Sequence, residues 1–127
     1  MYKLMLTAVG GGIGSLLRYL LSSLIQRTSE SSFPLGTMTV NILGCAAIGA
    51  LTAAWSADHA PREAWRVAVL VGVLGGFTTF SAFGFETFQL ANQGHLARAG
   101  LNILLTNAAC LGAVWLGFRF VERFAGT

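Results

Sequence analysis

The chain has 127 residues, of which 54% are hydrophobic and only 10% are charged, and its mean hydropathy is +0.67. Soluble domains carry about 25% charged residues, so this composition excludes an ordinary soluble fold and indicates an integral membrane protein. The eight basic residues are scattered, and no basic cluster predicts nucleic acid or a lipid-headgroup site as a partner. We expect one small all-α membrane domain over residues 1–127.

The first predicted span runs from about Leu4 to Ile25. Only Lys3 precedes it and no small-residue cleavage site follows it, so we expect it to remain as a helix rather than to be removed as a signal peptide. Its glycines lack the G-x-G-x-x-G spacing and a preceding strand, which excludes a dinucleotide site. Gly10 and Gly14 form a small-xxx-small pair, which predicts close approach of another helix.

Arg18 is the one charge inside this span. An arginine at mid-span costs about 2.5–3.5 kcal/mol on insertion scales, which makes it a functional candidate. Snorkelling explains it equally well, because the end of the span is near. Of these two interpretations we predict the structural one, in which Arg18 sits near one interface and fixes the depth of the first span.

The second predicted span follows a polar connection, Gln26 to Phe33. Pro34 is expected at the start of the helix, where its missing N–H costs nothing. The uncharged run Phe33 to Ala57 is long enough to cross a bilayer. Its only strongly polar residue is Asn41, which either forms an interhelical hydrogen bond or donates to a passing ligand.

The third predicted span extends from about Arg62 to Asn92, after a connection at 58–63 in which Asp58 and Pro61 mark the start of a helix. Its centre, residues 75–83, reads Gly-Gly-Phe-Thr-Thr-Phe-Ser-Ala-Phe. Adjacent glycines cost about 1 kcal/mol each in a helix relative to alanine, and hydroxyls offer the backbone alternative partners. We therefore predict a helix that is broken near the membrane midplane. In hydrocarbon such a break is tolerated only where it is buried in protein or lines a wet cavity, which predicts a pore or a binding site there.

The fourth predicted span begins at Arg98 and continues as the uncharged run Ala99 to Phe118. Asn102, Thr106 and Cys110 recur at i, i+4 and i+8, so one helical face carries a polar stripe. The polar stripe either packs against a neighbouring helix or forms one wall of a pore. Cys110 and Cys45 both lie in apolar runs, and we interpret them as small buried residues rather than as a disulfide or a metal site.

Four spans place both termini on one side of the membrane. The basic residues expected on that side are Lys3, Arg62, Arg66, Arg119 and Arg123, and those expected on the other side are Arg18, Arg27 and Arg98. This bias is weak, so the positive-inside rule sets no firm orientation. Insertion in both orientations is therefore compatible with the sequence.

The sequence contains no catalytic set and no Walker-type loop, and we expect passive permeation or ion exchange rather than an enzyme. The available side-chain donors are Asn41, Thr78, Thr79, Ser81, Asn102 and Thr106. Phe80 and Phe83 share a helix face, and the positive edges of their rings could meet a small anion. A broken helix also frees carbonyls that suit an alkali cation. The residues by themselves leave the anion path and the cation site both open.

The motif at 75–83, the glycines at 10–14 with Arg18, and Asn41 followed by Gly44 resemble the Fluc (CrcB-type) family of fluoride channels. The similarity covers all four spans. It implies an antiparallel, dual-topology homodimer with two fluoride pores. It also implies a multi-pass protein of the bacterial inner membrane that exports fluoride passively and relieves fluoride toxicity.

The resemblance also implies site residues. It assigns Phe80 and Phe83 to an aromatic box, Asn41 to fluoride coordination and Ser81 to a pore hydroxyl. The family's fourth-helix polar track corresponds to Asn102, Thr106 and Cys110, and the backbone carbonyls of Gly75 and Thr78 are expected to hold a central Na⁺ on the dimer axis. The family usually reads Phe-Ser-Thr-Phe where this chain has Ala82, which removes one hydroxyl.

Two other functions stay as alternatives. A small four-helix proton-coupled exporter needs a carboxylate in its first span, and Leu4 to Ile25 contains none; Glu86 is the only acid inside any predicted span. An accessory subunit that packs on a larger partner would explain the glycines, but not a break at mid-span.

Overall fold

The computed structural model describes residues 1–55 and 61–125, and their regular structure is helical throughout. Four helices in these ranges are long and apolar enough to cross a membrane: Tyr2–Ser29, Leu35–Ala54, Glu63–Asn92 and Leu96–Phe124. They confirm the predicted four-helix membrane architecture. The last residues of the second predicted span, at 56–57, and the start signal at Asp58 lie outside the described residues.

Helix α1 comprises Tyr2–Ser29 and is longer than the sequence predicts. The hydroxyl groups of Thr28 and Ser29 donate to carbonyls of the preceding turn, so these polar residues continue the helix. It ends at Glu30, whose φ of 48° is left-handed. The predicted connection from Gln26 to Phe33 is therefore wrong for its first residues, which are helical.

Helix α2 comprises Leu35–Ala54 and begins directly after Pro34, as predicted. The side chain of Gln26 fixes the short connection before it. Its amide nitrogen donates to the carbonyls of Ser31 and Phe33, at 2.6 and 3.1 Å, and its oxygen accepts from the backbone N–H of Gly36 at 3.2 Å. One amide thus hydrogen-bonds three backbone groups of the connection and the start of α2.

The third span consists of α3 (Glu63–Val67), a π-helical stretch (Ala68–Leu74), α4 (Gly75–Phe77) and α5 (Phe80–Asn92). Between α4 and α5, Thr78 and Thr79 have extended backbone angles, with φ/ψ of −89°/157° and −152°/116°. We call these two residues the interruption. A turn with Gly94 at a φ of 85° then leads into α6 (Leu96–Ala125).

Close backbone packing holds α1 against the first half of the third span. A Cβ added to Gly14 would lie 2.0 Å from the Val73 carbonyl oxygen, and one added to Gly10 would lie 2.7 Å from that of Ala68. Only glycine permits this approach, which confirms the close contact predicted from the small-xxx-small pair. Helix α2 touches α6 in the same manner, since a Cβ on Gly49 would lie 2.1 Å from the Val114 carbonyl oxygen.

Polar and apolar side chains are arranged as a bilayer requires. Large apolar side chains are exposed along the helices, among them Leu4, Ile13, Leu20, Leu104, Leu111 and Phe120. The buried polar residues include Asn102, with 0% of its surface exposed, and Asn41, with 8%. Hydrocarbon solvates exposed leucines but cannot hydrogen-bond an amide, so polar groups in spanning helices turn inward.

Candidate functional site

Asn41 on α2 pairs with the backbone of the interruption through both ends of its amide. The N–H of Thr79 donates to Asn41 Oδ1 at 2.7 Å, and Asn41 Nδ2 donates to the Thr79 carbonyl at 2.9 Å. The Thr79 N–H, which loses its helical acceptor at the interruption, is satisfied in this way, and the Thr79 carbonyl at the N-cap of α5 gains a second donor. One N–H of the Asn41 amide is not used by Thr79 and is available to a ligand.

The threonines of the interruption contact the helix ends on both sides of it. Thr79 Oγ1 caps the N-terminus of α5 by accepting from the N–H of Ala82 at 3.1 Å. On the other side, the hydroxyl and the N–H of Thr78 both donate to the Leu74 carbonyl, at 2.9 and 3.0 Å. The third span itself therefore supplies the cap of α5 and a second donor to the last helical turn before the interruption.

Arg18 reaches the end of α4 from α1. Its Nε donates to the Gly76 carbonyl at 3.1 Å, and the Ser15 hydroxyl lies 3.5 Å from the same oxygen. In a continuous helix this carbonyl would accept from the N–H of residue 80. The guanidinium thus contacts the backbone of the third span, a partner that the sequence did not predict, and the anchoring of Arg18 at an interface stays a prediction.

The carbonyls of Gly75 and Thr78 lose their usual helical donors. In a continuous helix they would accept from the N–H groups of residues 79 and 82. Here those N–H groups donate to Asn41 Oδ1 and to Thr79 Oγ1. The interruption therefore frees two carbonyl oxygens that a cation could use in place of a donor.

A cavity of about 300 Å³ lies beside the interruption. Its walls contain Asn41, Gly44, Cys45, Ile48, Leu70, Leu74, Gly75, Thr78, Thr79, Phe80, Phe83, Thr106, Asn107 and Cys110. The fold thus gathers six of the eight predicted site residues around one space. Ser81 and Asn102 do not line it.

Phe80 and Phe83 form a tilted pair in this wall. Their ring centroids are 5.2 Å apart and the ring planes meet at 48°. Phe83 is buried, whereas 78% of Phe80 is exposed in the single chain. The cavity is therefore open on the Phe80 side, and ring edges with their positive potential are accessible from it.

The residues of the predicted polar stripe on α6 have different surroundings: Asn102 contacts α5, and Thr106 lines the cavity. The Thr106 hydroxyl donates to Asn102 Oδ1 at 3.0 Å, and Asn102 Nδ2 donates to the Thr87 hydroxyl on α5 at 2.8 Å. Asn102 therefore connects two helices. Thr106 faces the cavity with an oxygen whose proton is already engaged, so in this arrangement it offers an acceptor rather than a donor.

Two polar residues were not identified as site residues from the sequence. Asn107 lines the cavity and donates once, to its own helix at the Ile103 carbonyl, so a second N–H remains. Thr87 receives the amide of Asn102 and itself donates to the Phe83 carbonyl at 2.7 Å. Asn107 adjoins the stripe and could have been included, but a single threonine in an apolar helix carries no comparable signal.

A second, more polar cavity of about 340 Å³ lies among α1, α2 and α5. It is lined by Ser22, Ser23, Gln26, Ser32, Pro34, Gly36, Thr37, Glu86, Gln89, Leu90 and Gln93. Thr37 donates to Glu86 Oε1 at 2.6 Å, and Arg98 reaches Ser32 at 2.5 Å. Glu86 Oε2 is buried and makes no hydrogen bond within the described part of the chain.

Fold and site together define a multi-pass helical membrane protein with polar groups gathered around an interrupted third span. The chain matches the family model described as "CrcB-like protein, Camphor Resistance (CrcB)" over residues 5–118. This match covers most of the sequence, and the chain belongs to the CrcB family.

Relatives of similar length carry one name. A "Fluoride-specific ion channel FluC" of Paramagnetospirillum magneticum is 46% identical over 115 residues, which cover 88% of this chain and 89% of the relative. The protein of that name from Methylobacillus flagellatus is 45% identical over 123 residues, 96% of each chain. That of Solibacter usitatus is 41% identical over 121 residues, 95% of this chain and 99% of its own.

Proposed function

We propose that the protein is a passive fluoride channel that exports fluoride across the bacterial inner membrane and so relieves fluoride toxicity. The observation that carries the proposal is the cavity at the interruption, where directional N–H donors and aromatic edges meet. The name of the relatives supports it, since each is called a fluoride-specific ion channel. Such a protein moves its ion without chemical conversion and is not an enzyme.

Fluoride is strongly hydrated, so a path must replace its water with donors that are already in position. The free N–H of Asn41 meets this need because the pairing with Thr79 fixes the orientation of the amide. Preorganised donors act without a cost of reorganisation when the ion arrives. Phe80 and Phe83 add weaker positive edges in a wall that excludes water.

The proposed path continues beyond the phenylalanine pair. Ser81 lies at the exposed start of α5 with its hydroxyl 3.2 Å from that of Thr79. On the other wall, Thr106 and Asn102 form the network that reaches α5. We assign these hydroxyl and amide groups to later contacts of the ion, with their hydrogen bonds rearranged as it passes. Ala82 contributes no hydroxyl to this path.

The proton-coupled exporter is not favoured. Helix α1 carries no carboxylate between Leu4 and Ile25, where such an exporter exchanges protons for its substrate. Glu86, which lies in α5, lines the second, more polar cavity and not the cavity at the interruption.

We further propose that two copies assemble as an antiparallel homodimer around the interruption. The helical segments before it have 5, 7 and 3 residues and α5 after it has 13, which supports a position near the membrane midplane. The weak charge bias permits both orientations. A second chain would also close the cavity on the side where Phe80 is exposed.

The freed carbonyls of Gly75 and Thr78 fit a Na⁺ ion on the axis of this dimer. Carbonyl oxygens are suitable ligands for alkali cations, and two chains together would supply four of them. When bound, the ion would supply a positive charge that links the interruptions of the two chains. Its protein ligands are backbone atoms, so Asn41 and Thr79, which divert the competing N–H groups, prepare the site.

Fluoride efflux from proteoliposomes, with a potassium ionophore to balance charge, tests the channel. Wild-type protein should release fluoride. Phe80→Ile keeps bulk and removes the ring, and efflux should fall by about tenfold or more, which corresponds to about 1.4 kcal/mol at the barrier. Phe88→Ile is the matched control, because Phe88 is 63% exposed and does not line the cavity.

Absence of efflux from the wild type would refute the proposed function. Unchanged efflux with Phe80→Ile in intact dimers would move the path away from the phenylalanine pair. Terminal tags should be accessible from both sides of one membrane; a single orientation for all subunits would refute the antiparallel dimer.

A further inference from the structure

Helices α2 and α6 run side by side in a constant register. Asn41 and Thr106 lie in the cavity wall, Cys45 and Cys110 lie in the same wall, and Gly49 touches Val114. Each step along this seam is four residues on both helices. Residues four apart lie above one another on a helix face, so the two cysteines occupy equivalent positions between the wall formed by Asn41 and Thr106 and the contact of Gly49 with Val114.

The seam is narrow one turn beyond the cysteines. At that turn a Cβ on Gly49 would lie 2.1 Å from the Val114 carbonyl oxygen, so the backbones there are in contact. The thiol of Cys110 lies next to that of Cys45, and both cysteines are free and partly exposed. The two cysteines therefore lie close together across the seam, and the same cavity is accessible to both.

We propose that Cys45 and Cys110 form a two-sulfur site for a soft, two-coordinate cation such as Ag⁺, Hg²⁺ or Cu⁺. Soft thiolates select such metals over hard ions. Structural zinc takes four ligands, whereas this pair supplies two. Residues 1–55 and 61–125 contain no cluster of three His, Cys, Asp or Glu side chains that could complete a larger set. This proposal departs from the interpretation of the cysteines as small packing residues.

The charge of the complex follows from the ligands. Two thiols bind one Ag⁺ with the release of two protons, which leaves a bis-thiolate complex with a charge of −1. With Hg²⁺ the same reaction gives a neutral complex. Because Asn41, Thr106 and Phe83 line the same cavity, a negative complex there repels an anion, and either complex narrows the space. Only this effect on flux rests on the proposed function; the binding does not.

The chain has only two cysteines, so Cys45→Ser/Cys110→Ser is a thiol-free control. Titration of detergent-solubilised protein with Hg²⁺, followed by the sulfur-to-mercury absorption band, should show one ion per chain with the loss of both free thiols. Each single serine variant should bind at least about a hundredfold more weakly, because one of the two ligands is gone. Wild-type protein blocked with methyl methanethiosulfonate gives a thiol-free comparison without any substitution.

Two Hg²⁺ ions per chain, or single variants that bind as tightly as the wild type, would show independent thiols and overturn the site. In chloride-free proteoliposomes, Ag⁺ should inhibit fluoride efflux through the wild type, and dithiothreitol should restore it. The thiol-free variant should be insensitive. Binding without inhibition would refute the effect on the path, whereas a wild type that never releases fluoride refutes the proposed function and leaves the binding result intact.

Discussion

Two glycine-rich stretches of this chain differ in backbone structure. Residues 10–14 contain four glycines, yet α1 continues through them as a helix of 28 residues. Gly75 and Gly76 in the third span are followed at once by an interruption. Even there Gly75 is helical, with a φ of −64°, and the helix stops only after Phe77.

The difference shows that glycine sets the distance between helices here, while side-chain hydrogen bonds set where a helix stops. Gly14 and Gly76 allow backbones to touch, since a Cβ on Gly76 would lie 2.4 Å from the Gly11 carbonyl oxygen. The interruption instead depends on Asn41 and Thr79, which take over the lost backbone partners. In hydrocarbon no water can do so, and a helix without such partners stays intact.

The largest loss of thermal stability and of fluoride efflux should come from Asn41→Leu, which removes the amide that pairs with the backbone of Thr79. The part-buried N–H of Thr79 is left without a partner, at a cost of about 1–3 kcal/mol, and the Thr79 carbonyl loses one of its donors. We expect dimers that melt many degrees lower, as followed by size-exclusion chromatography after heating, and loss of fluoride efflux.

Asn92→Leu makes the same chemical change at the exposed end of α5 and should leave stability unchanged. Full thermal stability of Asn41→Leu would show that the interruption does not need the amide, and would reduce Asn41 to a ligand of the ion.

The variants Gly14→Ala and Gly12→Ala distinguish a glycine that permits close helix packing from a glycine that only lowers helix propensity. The methyl group at Gly14 would meet the Val73 carbonyl oxygen at 2.0 Å, and such overpacking costs about 3 kcal/mol. A Cβ at Gly12 meets nothing within 4 Å, so alanine there should be neutral or add up to about 1 kcal/mol through helix propensity. The melting temperatures of the two variants provide the measurement, and equal values would contradict the close packing of α1.

The smallest effect should come from Arg18→Lys. Lysine keeps a cationic donor near the Gly76 carbonyl, so stability and efflux should change little, whereas Arg18→Leu loses a charged hydrogen bond worth about 1.5–3 kcal/mol. Melting and efflux measured on both variants check this order. Normal dimers of Arg18→Lys with greatly reduced efflux would instead assign the guanidinium a direct part in permeation.

The sequence by itself determined the four spans, because hydropathy and helix length act locally and hydrocarbon permits no other backbone structure. It also indicated where the third span departs from a plain helix, since Gly75–Gly76 and the hydroxyls that follow are neighbours in the chain.

Only the tertiary structure decided which polar group meets which partner. Asn41 and Thr79 are 38 residues apart, Arg18 and Gly76 are 58 apart, and no local pattern encodes either pairing. Asn102 hydrogen-bonds Thr87 on α5, whereas Thr106, one turn away on the same helix, lines the cavity. These choices depend on which helix faces meet, and the close contacts at Gly14 and Gly49 fix those faces once the chain has folded.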